Sequence, residues 1–501
     1  MLDVKDITLS INGKTLIENL SFTLQKDDKM AIIGEEGNGK SSFLKALMGK
    51  LDYGMIAGSI NHKGNKIGYL EQFINKQEET LQVKEYLFKN EDEYYEKINE
   101  YYKYLNEIDI KDYVLEPIKL ENLSGGEKVK IGLLKILLEE PDILFLDEPT
   151  NDLDLETLNW LEKFIIKSKK PIIYISHDEI MLEKTANKIM HIENIDRKSI
   201  PRHTIKKIGY KDYVCERLHL INRQEQISKK EKYEHQKQTQ KMNQIMNKVE
   251  HRQNTISRSE PHQAAMLKKK MSSIKSMEKR LEKSVPTEMP DYEEGINIFF
   301  DNTRVPNSKK IITLEKIDLK INDLTLSSNI NVEIIGPKKI VIIGKNGVGK
   351  STLLKYIYNN LREKKDIKVG YMPQNYEDVL HNYKDPISFL TNSTEKEEIK
   401  IACNYLGNMK FTSEEMLGNI SDLSGGSKAK LLLLKLIIDK YNVLILDEPT
   451  RNISPLSNPV IRKALKKFNG AIISVSHDRK FIEEVIDDIY ELTEQGLTVK
   501  N

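Results

Sequence analysis

The sequence predicts an α/β fold: two tandem domains, each a parallel sheet covered on both faces by helices, joined by a long basic α-helical hairpin. Three observations predict it. The chain repeats itself, because Leu123-Ser124-Gly125-Gly126, Leu146-Asp147-Glu148-Pro149-Thr150 and Ser176-His177-Asp178 return 300 positions later as Leu423-Ser424-Gly425-Gly426, Leu446-Asp447-Glu448-Pro449-Thr450 and Ser476-His477-Asp478. Within each copy short apolar runs alternate with helix-periodic stretches, the pattern of strand-helix-strand units that build a parallel sheet. Between the copies, residues 211–285 hold 18 Lys and Arg against 9 Asp and Glu, a net +9, which leaves −7 for the rest of a chain whose total is +2. The expected domains are 1–200, a linker 201–300, and 301–501.

Each copy opens with short alternating strands, 2–11 and 312–321. An apolar run follows (30–33; 340–343), then G-E-E-G-N-G-K-S at 34–41 and G-K-N-G-V-G-K-S at 344–351, then a helix-like stretch. A glycine loop between strand and helix aims backbone N–H groups at phosphate from the helix N-terminus. The expected phosphate ligands are Gly34, Gly37, Gly39, Lys40, Ser41 and Ser42 in the first copy. In the second they are Gly344, Gly347, Gly349, Lys350, Ser351 and Thr352. The lysines would reach the β- and γ-phosphates, and the Ser41 and Ser351 hydroxyls would ligate Mg²⁺.

The offset between copies is 310 at these loops and 302 at Gln72 and Gln374, so the first copy is longer in between, where 54–68 reads as an extended hairpin. A Tyr-, Glu- and Lys-rich stretch, 83–113, reads as a short helical insertion. After each L-S-G-G come an apolar helix (129–138; 429–438), a strand (143–146; 443–446) ending in Asp-Glu, a helix, and a strand (171–175; 470–475) ending at a His.

The linker reads as two helices packed along a narrow seam, with Met242, Ile245, Met246 and Val249 facing Leu267, Met271, Ile274 and Leu281. Its turn is expected at 255–262, where Ser257, Ser259 and Pro261 break the helical pattern. A run of charge is commonly a solvated spacer. Here a helix-periodic seam and nine excess positive charges point to a polyanion instead. The linker histidines (His219, His235, His251, His262) lack metal-ligand spacing.

At 501 residues the chain has room for several domains of roughly 150 residues. Cys215 and Cys403 are too few for a disulfide framework, and the start M-L-D-V-K-D lacks signal-peptide architecture, so a reducing, cytoplasmic location is expected. The apolar run 431–438 is interrupted by Lys435 and falls short of a membrane span; a membrane role would need a separate partner chain.

Phosphate loop, Gln, L-S-G-G, strand ending in Asp-Glu and downstream His, twice in one order, closely resemble the ATPase domains of the ATP-binding cassette superfamily. The resemblance covers about 1–195 and 311–492. Two cassettes, a basic helical linker and no transmembrane part resemble the ABC-F family, whose members act on the ribosome. The segment Asp447-Glu448-Pro449-Thr450-Arg451-Asn452-Ile453-Ser454, the short insertion and the lack of a long tail after His477 look like its bacterial antibiotic-resistance branch.

The resemblance implies ATP and Mg²⁺ as ligands. Asp147 and Asp447, with Gln72 and Gln374, would hold the metal; Glu148 and Glu448 would polarise the attacking water, and His177 and His477 would contact the γ-phosphate. It implies a monomer whose cassettes close head to tail. Ser124, Gly125 and Gly126 would then complete the site over Lys350, and Ser424, Gly425 and Gly426 the site over Lys40. It also implies the ribosome as partner, through large-subunit RNA and tRNA, with no stable membrane partner. The linker tip, Thr255 with Ile256, Ser257, Arg258, Ser259 and Glu260, would face the RNA or a drug site, and Lys268, Lys269 and Lys270 would grip RNA backbone.

Two departures bear on this. Where the family places an aromatic against adenine, Ile11 and Ile321 stand, so base recognition is expected to be loose. Asn151-Asp152-Leu153-Asp154 in the first copy becomes Arg451-Asn452-Ile453-Ser454 in the second, and L-S-G-G-E becomes L-S-G-G-S. Both changes fall on the site over Lys40, which predicts unequal sites. Protection of translation from drugs near the peptidyl-transferase centre leads. A housekeeping translation factor and the energising subunit of a transporter stay open, although a transporter subunit has no use for a basic hairpin.

Overall fold

Lys29–Ile33 and Lys339–Ile343 are short apolar strands, buried almost along their whole length, and each lies inside a six-stranded sheet just before its phosphate loop. The computed structural model describes residues 2–51, 53–72, 75–151, 153–195, 198–255, 261–283, 300, 304–321, 324–391 and 395–500, with backbone alone at 253, 261, 263, 264, 282 and 283. Contacts divide the chain into one unit of Met1–Lys211 with Tyr292–Asn501, which holds both cassettes, and a second of Asp212–Asp291.

In the first cassette the strand order is Ile67–Leu70, Ile143–Asp147, Ile172–Ile175, Lys29–Ile33, Lys188–Ile195, Ile200–Lys206. The first five run parallel and the last is antiparallel. The second cassette repeats the order with Val369–Met372, Val443–Asp447, Ala471–Val475, Lys339–Ile343, Asp488–Thr493 and Gly496–Lys500. Helices Lys40–Leu47 and Gly125–Leu137, with Lys350–Arg362 and Gly425–Ile438 in the second cassette, contact these sheets. The expected α/β tandem is thus present, with a mixed rather than wholly parallel sheet in each copy.

Each cassette carries a smaller antiparallel sheet whose alternating strands seat one face on the core: Leu2–Ile11 with Lys14–Leu24, and Lys310–Ile321 with Leu324–Ile335. The first has a third strand, Met55–Asn61, on the other side of Leu2–Ile11. This corrects the hairpin expected at 54–68, because Ile67–Leu70 goes instead to the edge of the main sheet. The burial pattern explains the split. Met55–Asn61 is exposed but for Ile60, which suits an edge strand, whereas Gly68 and Leu70 are buried. The added strand accounts for the longer spacing of the first copy. The insertion comprises helices Val83–Leu87, Glu91–Glu96 and Ile98–Ile108, gathered around Phe88, Tyr94 and Tyr101, with ring centroids 5.1 and 5.7 Å from Phe88.

The linker forms two helices, Tyr210–Thr255 of 46 residues and Pro261–Lys283 of 23, about 70 and 35 Å long at 1.5 Å per residue. They run antiparallel, with His235 Nε2 3.1 Å from the carbonyl of Leu281. Met242, Val249 and Ile274 are buried together, flanked by Met246, Leu267, Met271 and Leu281. Ile245 is a correction: it is 47% exposed, because it lies about 100° around the helix from Met246 and off the seam. Of the turn expected at 255–262, Thr255 belongs to the first helix and Pro261 and His262 to the second, which corrects those three positions. Thr255 Oγ1 donates to the His251 carbonyl at 2.9 Å, and Pro at a first helical position loses no hydrogen bond. Ile256, Ser257, Arg258, Ser259 and Glu260 lie outside the described residues. Lys268, Lys269 and Lys270 are exposed.

Candidate functional site

The two phosphate loops arise from the same local geometry. Gly34 has φ 144°, and a Cβ there would fall 2.1 Å from the Ile192 carbonyl oxygen of the neighbouring strand, so only glycine lets the loop turn off the sheet. Gly39 and Gly349 stand just before helices Lys40–Leu47 and Lys350–Arg362 in the left-handed region. Ser41 with Ser42, and Ser351 with Thr352, sit in the first helical turns. Lys40 Nζ donates to the carbonyls of Gly34 at 2.8 Å and Glu35 at 2.9 Å. Lys350 Nζ does the same to Gly344 and Lys345 and reaches Asn346 Oδ1 at 3.3 Å.

The strand ends Asp147 and Asp447 meet these loops. Ser41 Oγ donates to Asp147 Oδ1 at 2.9 Å and Tyr69 Oη to Oδ2 at 3.0 Å. Burial pushes both aspartates up from the ordinary carboxylate range, opposed by Ser41 and Tyr69 at Asp147 and by Ser351 at Asp447. Asp447 Oδ1 is buried with no hydrogen-bond donor facing it. A hydroxyl and a carboxylate oxygen without a donor fit a hard, oxygen-seeking cation such as Mg²⁺.

Glu148 and Glu448 both have left-handed backbones, φ 47° and 53°, a conformation that costs about 1 kcal/mol or more and persists where surroundings enforce it. Their environments differ. Glu148 accepts from Gln72 Nε2 and Asn151 Nδ2, each at 2.8 Å, and lies 3.4 Å from His177 Nε2. Burial would raise its carboxyl, but the neighbouring His177 and Lys40 and the Asn151 amide hold it at about 2. Glu448 accepts from the Ser476 hydroxyl at 3.4 Å and the His477 N–H at 3.3 Å and lies 4.0 Å from His477 Nε2, and burial beside Asp447 pushes it up to about 8. His477 is held down at about 4 by burial and Lys350.

A cavity of about 570 Å³ opens over Lys350. It is lined from the second cassette by Gly347, Gly349, Ser351, Thr352, Gln374, Asp447, Glu448 and His477, and from the first by Gly125, Asn151 and His177. Ser124 and Gly126 border an adjoining groove with Lys345 and Asn346. Ile321 and Leu326 line the cavity in aliphatic surface, while Ile11 packs against the first core. Across the molecule Ser424 faces Gly37, and the Gly426 N–H meets the first phosphate loop. His177 Nδ1 donates to the Ile453 carbonyl at 3.0 Å.

Several residues beyond those read from motifs enter here. Glu36 accepts from the Gly426 N–H, and Lys430 pairs with Glu35. Their signal lay in the self-alignment, where Glu35-Glu36 of the first loop oppose Lys345-Asn346 of the second. Behind the histidines, Arg462 pairs with Glu179 at 2.5 Å and Arg479 with Glu162 at 2.5 Å and Asp178 at 3.1 Å, all across the two cassettes. Nothing in the motif spacing marks them.

The family model described as ABC transporter matches residues 17–151 and 327–451. The chain is similar to the ATP-binding protein Uup of Buchnera aphidicola, 29% identical over 99% of this chain and 81% of the relative. It is also similar to ABC transporter F family member 2 of Arabidopsis thaliana, 26% identical over 98% of this chain and 76% of the relative. Among solved structures it resembles the archaeal ribosome recycling factor aABCE1 in complex with the stalk protein aP1. That likeness has a TM-score of 0.61 and 15% identity over 98% of this chain and 89% of that one, and it shows the shared fold.

Proposed function

We propose, from the premise that this chain belongs to the ABC transporter family and is an ATPase, that it is an ABC-F protein whose ATP-driven cycle acts on the ribosome, in the cytoplasm, and protects translation from drugs bound near the peptidyl-transferase centre. The observation that carries this reading is the linker: two long helices with a thin apolar seam and a net +9 over residues 211–285. A surface of that charge suits a polyanion, on which basic side chains gain affinity by counterion release. The similarity to an F-family member and the fold shared with a ribosome recycling factor support it. Among the described residues no helix is long and apolar enough to cross a membrane.

The site residues take roles by chemistry. Lys40 and Lys350 swing from their own loop carbonyls onto phosphate oxygens, and the loop amides hold the rest of the triphosphate. Glu148 and Glu448 orient water in line with the γ-phosphorus; the water oxygen bonds to phosphorus, the bond to the bridging oxygen breaks, and a water proton passes to the carboxylate. His177 and His477, with the signature amides of the opposite cassette, stabilise charge on the transferring phosphoryl group. Ser41 and Asp147, or Ser351 and Asp447, with Gln72 or Gln374 beside them, would hold Mg²⁺, which would supply charge neutralisation at the phosphates.

Glu148→Gln with Glu448→Gln is expected to abolish turnover, retain ATP and cosediment with ribosomes more than the parent does. A double variant that binds ATP normally but sediments no better than the parent would overturn the ribosomal reading.

A further inference from the structure

The two phosphate loops differ most where the second has Lys345 and Asn346 and the first has Glu35 and Glu36. A carboxylate in a loop built to hold phosphate is electrostatically costly unless it has a partner of its own, and here it has several. The Glu36 carboxylate accepts from the backbone N–H of Gly426, in the first turn of the 14-residue signature helix Gly425–Ile438 of the opposite cassette. A helix N-terminus carries unpaired N–H groups and the positive end of the helix dipole, so it attracts an anion from any source. Burial pushes the Glu36 carboxyl up from the ordinary carboxylate range, with Glu148 acting in the same sense, and the Gly426 N–H, His177 and Lys40 oppose that rise. Beside it Lys430, 7% exposed in its side chain, pairs with Glu35. The opposite signature amide is a group assigned above to the γ-phosphate, and in the first site it meets a side chain, the Glu36 carboxylate lying against both Gly425 and Gly426. Over Lys350 the equivalent space is the cavity of about 570 Å³, where Lys350 meets the neutral Asn346.

We propose that Glu36 is a built-in stand-in for the γ-phosphate, and that with Glu35 it latches the first site to the second cassette's signature without nucleotide. The second site remains the one that closes on ATP. A nucleotide entering over Lys40 must displace Glu36 from Gly426 and meet its charge, so the first site binds triphosphate more weakly. This goes beyond the ribosomal reading and is tested on the isolated full chain, so neither result decides the other.

Two measurements test it. Binding of the Mg²⁺ complex of adenosine 5′-(β,γ-imido)triphosphate is compared in Lys350→Ala, which leaves the first site to be read, with and without Glu36→Asn, the residue of the second copy. At least a tenfold gain in affinity on adding Glu36→Asn is expected; equal affinities would overturn the proposal. In nucleotide-free protein, hydrogen exchange of the amides at 424–427 is compared between the parent and the isosteric Glu36→Gln, with far-ultraviolet circular dichroism to show that both are folded. Faster exchange there in the variant, with 124–127 unchanged, is expected. Unchanged exchange at 424–427 would equally overturn it.

Discussion

At the scale of single residues, the two water-orienting glutamates are not equivalent. Glu148 accepts from Gln72 and Asn151 and lies 3.4 Å from His177, in a site where Glu36 meets the signature amide of the opposite cassette. Glu448 meets the Ser476 hydroxyl at 3.4 Å and the His477 N–H at 3.3 Å, longer than the contacts of Glu148 to Gln72 and Asn151, and it borders a cavity of about 570 Å³. The second site is therefore expected to carry most of the steady-state flux. Glu448→Gln alone should lower phosphate release by about a hundredfold, within the range typical of a lost general base, and Glu148→Gln alone by less than about threefold. Equal losses in a steady-state phosphate-release assay would show that the sites turn over alike. Both glutamates and both aspartates were legible from Asp-Glu at the end of an apolar strand. Their differing surroundings were not, because Gln72 and His177 reach Glu148 from 76 and 29 positions away.

At the scale of elements, the linker helices follow from apolar spacing at three and four. Met242, Met246 and Val249 lie at i, i+4 and i+7, and that row alone faces the second helix. Apolar spacing alone does not separate Ile245 from the seam, because one apolar residue beside it is consistent with two neighbouring rows and only the partner helix selects between them. A hairpin this sparsely packed gains little from its own core, so a docked partner is expected to stabilise it. Exchange of residues 255–262 for a Gly/Ser loop of equal length should leave ATPase activity and salt-sensitive ribosome sedimentation within about twofold of the parent, since on the proposed reading the basic stem rather than the tip would grip RNA backbone. The same exchange should remove protection of a translation reaction from peptidyl-transferase drugs. Full protection by the exchanged protein would make the hairpin a spacer.

At the scale of the whole cassette pair, charge holds the interface behind the switch histidines. Arg462 is 2% exposed and pairs with Glu179, in the helix that begins two residues after His177, and with Glu484 at 2.9 Å. Lys480 pairs with Glu179 at 3.2 Å and Glu183 at 2.5 Å, and Lys198 with Glu415 at 2.8 Å. A buried pair broken on one side leaves a buried charge uncompensated, which costs about 3–5 kcal/mol. Arg462→Ala is therefore expected to lower the free energy of unfolding in urea by about that amount. A loss under about 1 kcal/mol would place the pair with exposed ion pairs, which contribute little.

The sequence by itself determined the duplication, the two phosphate loops, the order of strands and helices around them, and the basic hairpin. These depend on local physics: a glycine loop between strand and helix, apolar periods of two and 3.6, and fixed spacing along one chain. Tertiary structure decided which carboxylate meets which cation or amide. Glu36 and Gly426 are 390 positions apart, and Glu179 and Arg462 are 283 apart. It also decided that Met55–Asn61 joins the small sheet while Ile67–Leu70 joins the large one. Such partners are selected by shared burial after the chain has folded back on itself. Charge and polarity in the sequence show that a group needs a partner, and only the closed pair of cassettes shows which one it has.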